Sequence, residues 1–384
     1  MESLDSWRLR VSGKALLDQF SALEDPRQAW KVVYPLPEIL LVVLCGTMAG
    51  AEDFVEIERW AKRKLDFLRR LLPFDRGIPA HDTLNDVMNA LPAEVFSDCF
   101  VSWVAGLRDA DPEIVAIDGK TSRRAHNKGK GQHPLHLVSA WASRQRLVLG
   151  QQACAEKSNE ITAIPALLER LELTGALVTI DAMGCQTDIA KAIRAKGADY
   201  LLALKDNWPA LCAEVERFFA DTDPASLNHH DTTDGDHGRI EVRRHVVSHD
   251  IAWLTSNRRF PGEWRFDGLA MIAMVETHTE RGGKISSERR YYLSSARLSA
   301  KHFAAAVRAH WHVENRLHWV MDVVFHDDLM RLRTQNGPAN MAAVKHMSLN
   351  LIRRINDKAS LKVRRKTLAW DDQYLLDALS SPAS

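Results

Sequence analysis

The sequence contains no long apolar segment. Its longest apolar run covers residues 39–51, well below the roughly 18 residues that suggest a membrane-spanning helix. The first ten residues include Glu2, Asp5, Arg8 and Arg10 and lack the apolar stretch of a secretory signal. We therefore expect neither a membrane span nor secretion, and interpret the apolar run as a buried helix.

Cysteine is also scarce, and its spacing shows no pairs. Five cysteines lie far apart without a Cys-x-x-Cys pair: Cys45, Cys99, Cys154, Cys185 and Cys212. Because five thiols cannot all pair within one chain, the sequence contains no complete disulfide framework. This cysteine usage predicts a reducing compartment, the cytoplasm.

The chain has almost no net charge. Its 51 Lys and Arg residues balance 50 Asp and Glu residues, so the net charge of +1 gives no global argument for a polyanionic partner. Any surface that binds nucleic acid must therefore be local. With 384 residues and 46% hydrophobic content the chain can bury a sizeable core, and we expect two domains, or one with insertions.

The hydrophobic periodicity changes near residue 110. Before it, apolar residues recur at helical spacing, and Pro35, Pro73, Pro79 and Pro92 divide residues 12–109 into several short helices. After it, the pattern predicts helices at residues 161–173, 187–196 and 208–219 and strands at residues 114–117, 135–142, 147–155, 177–180 and 200–204. This alternation predicts a mixed or parallel α/β sheet.

Residues 206–290 differ in composition from the segments before them, being rich in Asp, His, Gly and Arg. Strand-like segments at residues 240–247 and 269–276 indicate a β-rich insertion. Strand character returns at residues 291–294, and Ser299 can cap a long helix that carries Glu314. A last amphipathic helix is predicted at residues 338–355.

Two aspartates, Asp118 and Asp181, directly follow predicted buried strands. An α/β sheet places its ligands beyond the carboxyl ends of its strands, and Glu314 adds a third carboxylate on a late helix. Carboxylates suit Mg²⁺, which prefers hard oxygen ligands, and phosphodiester chemistry can use two ions about 3.5–4 Å apart. A single Asp at a strand end is more commonly a cap or turn former, so position alone leaves both interpretations open.

The residues around Asp118 favour the metal site. Residues 117–124 read Ile-Asp-Gly-Lys-Thr-Ser-Arg-Arg, which places a glycine and three cations, Lys120, Arg123 and Arg124, behind the carboxylate. This segment resembles the first catalytic block of bacterial insertion-sequence DDE transposases, in the branch that includes the H-repeat-associated proteins.

The resemblance extends over residues 20–354. Residues 310–328 resemble the third block, and the second block is matched by residues 179–186 together with residues 197–207. Residues 20–27 and 77–83 resemble segments of the helical domain that precedes the catalytic core in that branch. One block would be a weak signal, whereas three ordered blocks with the N-terminal segments are specific.

The resemblance implies an α/β fold with an RNase H-like mixed sheet flanked by helices, interrupted by the β-rich insertion and preceded by an all-helical domain. It also implies that Asp118, Asp181 and Glu314 are catalytic and bind Mg²⁺, for which Mn²⁺ substitutes. The expected domains are a helical domain that binds DNA ends (1–110), the two parts of the core (111–205 and 291–357), the insertion (206–290) and a basic C-terminal tail (358–384).

The third block departs from the wider superfamily, which carries a Tyr-Arg-Glu-Lys signature around its acid. Val307 and His310 occupy the first two places here and Met321 the last, so the roles of that Arg and Lys do not carry over. His310 and His318 lie four residues either side of Glu314, which places all three on one helix face.

Local positive charge is expected to contact DNA phosphates. Cations concentrate at residues 353–366 although the whole chain is balanced, and the insertion is expected to hold DNA beside the metals through arginines that include Arg243 and Arg244. The predicted DNA-binding residues are Lys120, Arg123, Arg124, Arg239, His310, Arg316, His318, Arg364, Arg365 and Lys366. A solvated helix face is the alternative interpretation for those near Glu314 and at the C-terminus.

Other polar and aromatic residues are interpreted as structural. Asp327 and Asp328 are expected to face solvent or to bind arginines such as Arg331. Trp311 and Trp319 could stack on a flipped base, but tryptophans on an amphipathic helix more often belong to the core. Five histidines lack Cys partners and compact zinc-ligand spacing, which favours a surface β segment: His229, His230, His237, His245 and His249.

Together these features predict a transposase that binds the ends of an insertion sequence, cuts a strand by metal-dependent hydrolysis and joins the freed 3′-hydroxyl to target DNA. Its expected partner is double-stranded DNA, namely the terminal inverted repeats and the target, bound by a homodimer or higher oligomer at the nucleoid. Two alternatives are a metal-dependent nuclease without strand joining and a non-catalytic DNA-binding protein derived from a transposase. The three intact acids argue against the second alternative.

Overall fold

The computed structural model describes residues 12–109, 111–122, 134–154, 160–236, 239–255 and 265–380. No helix within these ranges is both long enough and apolar enough to cross a membrane. The predicted phosphate contacts Arg123 and Arg124, and His237 of the histidine-rich segment, lie outside the described residues.

The N-terminal region is helical, as predicted. Pro35 and Pro92 are the N-cap residues of two of its helices, a position where the missing N–H removes no helical hydrogen bond. The apolar run falls in a helix that is buried on almost every side, which confirms the interpretation of a core helix. The helices are α1 (Ser12–Ala22), α2 (Leu36–Met48), α3 (Phe54–Arg63), α4 (Leu65–Leu68), α5 (His81–Ala90) and α6 (Ala93–Ala105).

A mixed sheet, nine strands wide within the described residues, forms the centre of the molecule. Its strand order is β3-β2-β1-β4-β5-β9-β8-β7-β6, with β1, β4 and β5 parallel and the other neighbours antiparallel. The strands are β1 (Ile114–Thr121), β2 (His136–Ala142), β3 (Leu147–Cys154), β4 (Leu177–Ile180), β5 (Asp199–Leu204), β6 (Asn228–Asp236), β7 (Arg239–Ser248), β8 (Met271–Arg281) and β9 (Lys284–Ser294).

Three helices connect the strands in the first half of the sheet and lead into its second half. They are α7 (Glu160–Arg170) between β3 and β4, α8 (Thr187–Ala195) between β4 and β5, and α9 (Pro209–Asp221) after β5. The predicted alternation of strands and helices is therefore present, and the prediction of a mixed sheet is confirmed.

The predicted β-rich insertion is not set apart from the core sheet. Tyr291 and Ser294 of β9 pair with Leu204 and Leu201 of β5, so β6 to β9 continue the same sheet, and the predicted boundary at residue 290 falls within β9. Strand β6 was missed because its sequence, Asn-His-His-Asp-Thr-Thr-Asp-Gly-Asp, has no apolar alternation.

The C-terminal third returns to helices that pack on the N-terminal ones. Asn340 donates to the carbonyls of Met88 and Leu91, and Lys64 pairs with Asp372. The predicted basic tail therefore includes two packed helices. The elements are α10 (Ala300–Val313), a π-helical turn (Glu314–His318), α11 (Trp319–Val323), α12 (Gly337–Arg354), α13 (Leu361–Trp370) and α14 (Asp372–Ser380).

Candidate active site

Asp118 and Asp181 come together because β1 and β4 are parallel neighbours. Ile117 of β1 lies opposite Ile180 of β4, so the next residue along each strand is an aspartate. Asp181 therefore follows the end of β4, and Asp118 lies just past the last residue of β1 that pairs with β4. Strand β1 itself continues to Thr121 beside β2, beyond the predicted end at residue 117. Strand register alone accounts for this pairing across 63 residues of sequence (181 minus 118).

Backbone N–H groups hold both carboxylates in place. The N–H of Gly119 donates to Oδ1 of Asp118 at 2.9 Å. The N–H groups of Met183 and Gly184 donate to Oδ1 of Asp181 at 3.0 and 3.3 Å. Asp181 therefore forms a local turn, as the alternative interpretation of a strand-end Asp expected, and its Oδ2 accepts none of these bonds.

Glu314 approaches the same edge from the helix that follows β9. Oγ of Ser299 accepts the N–H of His302 at 3.3 Å and caps α10, as predicted. The single π-helical turn Glu314–His318 follows α10; such turns insert one extra residue and are frequent at functional sites. The wider turn places His318 beside Glu314, with Nδ1 3.5 Å from Oε2.

The three acids line one cavity of about 240 Å³. We call the part formed by Asp118, Asp181 and Glu314 the acid pocket. Nδ1 of His310 lies 3.0 Å from Oγ1 of Thr179 in the same cavity. The structure thus brings together the three acids and His310, while the remaining walls include Arg290, Tyr292 and Trp311.

Burial and mutual repulsion disturb the charges of the acid pocket. Burial raises the pKa of Asp118 to about 6; His318 opposes this shift, and the negative charges of Glu314 and Asp181 add to it. The neighbouring imidazole of His318 lowers the pKa of Glu314, whereas burial lowers the pKa of His310. A bound cation would favour the ionised carboxylates and oppose the upward shift at Asp118.

The donor atoms fit a divalent cation. In the part of the chain that the structure describes, one group of three ligand residues has its donor atoms within 4.8 Å of one another: Asp118, Glu314 and His318. Asp181 lines the same cavity outside this group. Within the described residues, Asp118 has no Lys or Arg in ion-pair contact, so two hard oxygen donors face one another without a protein cation.

The histidine-rich strands form no comparable group. His229, His230, His245 and His249 join no cluster of three possible metal ligands among the described residues. Nδ1 of His245 lies 3.1 Å from the carbonyl of His230 within the β6 and β7 pair. The interpretation of a β segment holds for His229, His230 and His245, but His245 is buried and does not lie on the surface.

A second buried acid lies behind Asp118, in what we call the ion cluster (Lys120, Asp322, Asp327 and Lys345). Nζ of Lys120 lies 2.6 Å from Asp322, and Nζ of Lys345 lies 2.8 Å from Asp327. Oγ of Ser122 donates to Asp327 at 2.7 Å. Asp327 is only 4% exposed, so the expectation that it faces solvent is wrong; its side chain points towards α12 instead.

The positions of Lys120 and His318 do not fit their predicted role as DNA contacts. Lys120 is largely buried and is neutralised by Asp322, which leaves little of its charge for a phosphate. His318 is 6% exposed, and its Nδ1 faces Asp118 and Glu314. Arg316 is half-buried on the same turn, and its carbonyl accepts a hydrogen bond from Arg353.

Trp311 and Trp319 are exposed, and the expectation that they belong to the core is wrong. They are 45% and 57% exposed. The buried positions of α10 are taken by smaller or differently placed apolar residues, among them Phe303, Val307 and Val313. Both indole rings are therefore accessible to a ligand, and Trp311 lines the cavity of the acid pocket.

The predicted C-terminal phosphate contacts divide into three kinds. Arg365 is 7% exposed, donates to the carbonyls of Thr47 and Val324, and lies over the ring of Phe325. It therefore bonds to the fold and does not fit a phosphate contact. Arg364 is held by Asp357, and Lys366 is exposed on α13.

A larger cavity of about 630 Å³ lies between β6 to β9 and α10, and we call it the strand groove. Arg290, Tyr292, Val307 and Trp311 line both this groove and the cavity of the acid pocket. The guanidinium of Arg290 lies over the ring of Trp311, 5.4 Å from its centroid. The sequence interpretation missed Arg290, because only the pairing of β9 with β5 brings it towards the acids.

Arginines on the walls of the strand groove are paired with acids. Arg239 pairs with Glu241, and Arg243 pairs with both Glu241 and Asp234. Arg308 of α10 lies 2.9 Å from Asp234, so Asp234 joins the sheet wall to the helix wall. The predicted residue Arg239 is therefore placed in the groove, with Arg243 beside it.

Comparison with known proteins agrees with this arrangement. A family model described as a transposase DDE domain matches residues 109–351, and one described as DDE_Tnp_1-associated matches residues 17–104. The H repeat-associated putative transposase YhhI of Escherichia coli K12 is 37% identical over 96% of this chain and 98% of that protein. The putative transposase YncI of Escherichia coli O157:H7 is 39% identical over 97% of this chain and 96% of that protein.

These matches define the class as transposase, and the chain belongs to the DDE transposase family. The predicted resemblance to the H-repeat-associated branch is confirmed by the relatives that carry that name. Among solved structures, a piggyBac transposase synaptic complex with hairpin DNA aligns over 94% of this chain and 80% of that chain, with a TM-score of 0.46 and 11% sequence identity.

Proposed function

We propose that this protein cuts and joins DNA strands at the acid pocket, with Asp118, Asp181 and Glu314 holding divalent metal. The observation that carries the proposal is the convergence of three carboxylates on one cavity without a Lys or Arg in ion-pair contact with Asp118 among the described residues. Such a site is electrostatically incomplete without a cation.

Each acid has its own part in this proposal. Asp118 and Asp181, fixed by strand register and backbone N–H groups, present oxygens from the sheet. Glu314 presents an oxygen from the π-helical turn. A bound divalent ion supplies charge stabilisation to the reacting phosphate and activates the attacking hydroxyl. In the cutting step water attacks a phosphodiester and releases a 3′-hydroxyl. In the joining step this hydroxyl attacks a phosphodiester of the target and displaces the 3′-oxygen of the target strand.

The order of the first five strands supports an RNase H-like core. In the order β3-β2-β1-β4-β5, the first three strands are antiparallel neighbours and the last three are parallel neighbours. On this proposal β6 to β9 are the family's insertion, joined edge to edge to the core. Magnesium is the proposed ion, and manganese is expected to substitute for it.

The proposed substrate is double-stranded DNA, in the form of the ends of a mobile element and a target. The strand groove supports this because it shares lining residues with the cavity of the acid pocket. The side chains of Arg239 and Arg308 on its walls, unlike that of Lys120, stay about half exposed beside their acid partners. Exposed Trp311 at the junction offers a stacking surface for a base. We propose a homodimer or higher oligomer on DNA in the bacterial cytosol, since an element has two ends.

The test is a strand-cutting and joining assay. A labelled duplex carrying the DNA that flanks the gene in its genome is incubated with supercoiled plasmid, Mg²⁺ and protein. Wild-type protein is expected to nick the duplex and to transfer it to the plasmid, and Glu314→Gln protein is expected to bind the duplex but not to cut it. Asp111→Asn is the matched control, because Asp111 is an exposed acid before β1. Cutting by Glu314→Gln protein at near wild-type rate would contradict the assignment.

The same assay separates the alternatives. Nicking without transfer to the plasmid would identify a nuclease that uses the same acids. Binding without nicking by wild-type protein would identify a non-catalytic DNA-binding protein. Crosslinks from Arg239 or Arg243 to the cut end would support the role of the strand groove, whereas crosslinks confined to residues 12–105 would remove it.

A further inference from the structure

We infer that His318 is a nitrogen ligand of the metal ion held by Asp118 and Glu314, and that this nitrogen shifts the preference of the site towards transition metals. The inference rests on the proposed metal site of the acid pocket. It replaces the expected role of His318 as a DNA contact with a role at the metal.

The position of the imidazole supports this assignment. Nδ1 of His318 lies 3.6 Å from Oδ2 of Asp118 and 3.5 Å from Oε2 of Glu314, too far for good hydrogen bonds. Donor atoms around one octahedral ion with bonds near 2.1 Å lie about 3 Å apart. The three atoms therefore face a common point, and a small inward movement would bring all three onto one ion.

The other face of the ring fits the environment of a metal-bound histidine. His318 is almost fully buried, and its Nε2 has no hydrogen-bond partner among the described residues. The ring borders a small cavity of about 10 Å³ whose mixed lining includes the polar side chains of Ser122, Ser139 and His346. A space of this size accommodates roughly one water. A ligating histidine commonly donates its second N–H to a water or a carbonyl, which fixes the tautomer that presents the first nitrogen to the metal.

The local backbone explains how the side chain of His318 reaches the acid pocket. Glu314 and His318 are the first and last residues of the π-helical turn. Residues four apart share one face of a helix, and in this turn Nδ1 of His318 lies 3.5 Å from Oε2 of Glu314. The turn therefore directs an oxygen donor and a nitrogen donor towards Asp118 from one side.

The chemical consequence concerns metal choice. Mg²⁺ prefers hard oxygen donors, whereas imidazole suits transition metals, whose affinity rises from Mn²⁺ to Co²⁺. Replacing His318 should therefore weaken Co²⁺ binding by about tenfold or more, and should change Mg²⁺ binding much less. A histidine that merely neutralised the two carboxylates would have no such selectivity.

The test uses pulsed electron paramagnetic resonance on the full-length protein loaded with Mn²⁺ in nitrogen-free buffer, with metal titrations in parallel. Wild-type and His310→Gln proteins are expected to show a nitrogen coupling on Mn²⁺, and His318→Gln protein is expected to lose it. His310→Gln is the matched control because His310 lines the same cavity. If His318→Gln protein does not fold, the wild-type and His310→Gln spectra still decide the question.

The outcomes separate this inference from the proposed function. Bound Mn²⁺ without nitrogen coupling overturns the nitrogen ligand and leaves the carboxylate site standing. Coupling that disappears in His310→Gln protein assigns the nitrogen to the wrong residue and also overturns the inference. Failure of wild-type protein to bind Mn²⁺ or Co²⁺ in the acid pocket counts against the proposed function itself.

Discussion

Asp118 and Asp327 both become buried on folding, but their pKa values shift in opposite directions. Burial raises the pKa of Asp118 to about 6, because His318 and the backbone N–H of Gly119 compensate only in part and Glu314 and Asp181 add repulsion. Burial also acts to raise the pKa of Asp327, but Lys345, Ser122 and Lys120 overcome it and hold the pKa at about 2. Both carboxylates are fixed by the fold, and they differ in whether the protein supplies a cation.

The difference distinguishes a structural acid from a candidate ligand. An ion pair with Lys345 satisfies Asp327 within the protein, so nothing further has to bind. Asp118 has backbone support but no Lys or Arg in ion-pair contact among the described residues. Such a carboxylate is stabilised when a divalent ion binds.

The largest expected effect is on catalysis at the acid pocket. Asp118→Asn removes a ligand and should slow strand cutting in Mg²⁺ by about a hundredfold or more, since metal stabilisation of the transition state is worth several kcal/mol. Binding of the duplex should change little, and the metal-free protein should be somewhat more stable than wild type above pH 6, because the fold disfavours the ionised carboxylate. Parallel cutting, gel-shift and melting measurements check this, and loss of folding would show that Asp118 is structural after all.

The second prediction concerns the fold. Asp327→Asn leaves Lys345 buried without its partner and should lower the free energy of unfolding by about 3–5 kcal/mol. The double variant Asp327→Asn with Lys345→Met should regain most of the loss, because no unpaired charge stays buried. Urea unfolding measures both. If Asp327→Asn protein were as stable as wild type, the ion pair of Asp327 would not be structural, and Asp327 would no longer differ from Asp118 in this respect.

The pH dependence of stability should separate the two aspartates as well. The pKa of Asp118 is raised from 3.8 to about 6, so the folded state binds more protons between these values and stability falls as pH rises from about 4 to 6. The pKa of Asp327 is lowered to about 2, so its stabilisation is complete above pH 3.8 and is lost as pH falls towards 2.

Unfolding of the metal-free protein in EDTA between pH 2 and 7 measures these slopes. Asp118→Asn should flatten the decline between pH 4 and 6 without affecting the acid limb, and Asp327→Asn should flatten the acid limb alone. An unchanged profile in Asp118→Asn protein would mean that its carboxyl is not destabilised by the fold.

The smallest effects concern the cations of α13. Arg365→Ala removes hydrogen bonds to the carbonyls of Thr47 and Val324 and should cost about 1–3 kcal/mol of stability, without changing the salt dependence of DNA binding. Lys366→Ala should alter stability by less than about 0.5 kcal/mol. If Lys366 contacts a phosphate, its loss should lower the salt slope by about 0.9. If Arg365→Ala lowered the salt slope and Lys366→Ala did not, Arg365 would again be a candidate DNA contact.

Elements with a strong hydrophobic period were predictable from the sequence. The strand Leu177–Ile180 was predicted with its exact bounds, and Ser299 was predicted as the cap of α10, because an apolar run and a capping hydroxyl are local signals. The polar strand β6 carries no such signal, since its pairing with β7 and not its own composition makes it a strand.

The candidate site also contains residues that could be predicted from the sequence and residues that could not. Asp118 and Asp181 could be predicted because each directly follows a buried apolar run. The residues around these two aspartates could not be predicted from the sequence. The burial of Asp327 depends on Lys345, and the position of Arg290 depends on the pairing of β9 with β5. Contacts between residues distant in sequence leave no periodic pattern, and for this reason Trp311 and Arg365 were assigned to the wrong environments.

The most direct test of the central claim is crystallography of the wild-type protein grown with Mn²⁺, with the anomalous signal locating the ion. We expect anomalous density in the acid pocket, bonded to oxygens of Asp118 and Glu314, and a second ion about 3.5–4 Å away beside Asp181 once DNA is bound. Density confined to other acids, or Asp118 paired with a lysine or arginine and no ion in the pocket, would contradict it.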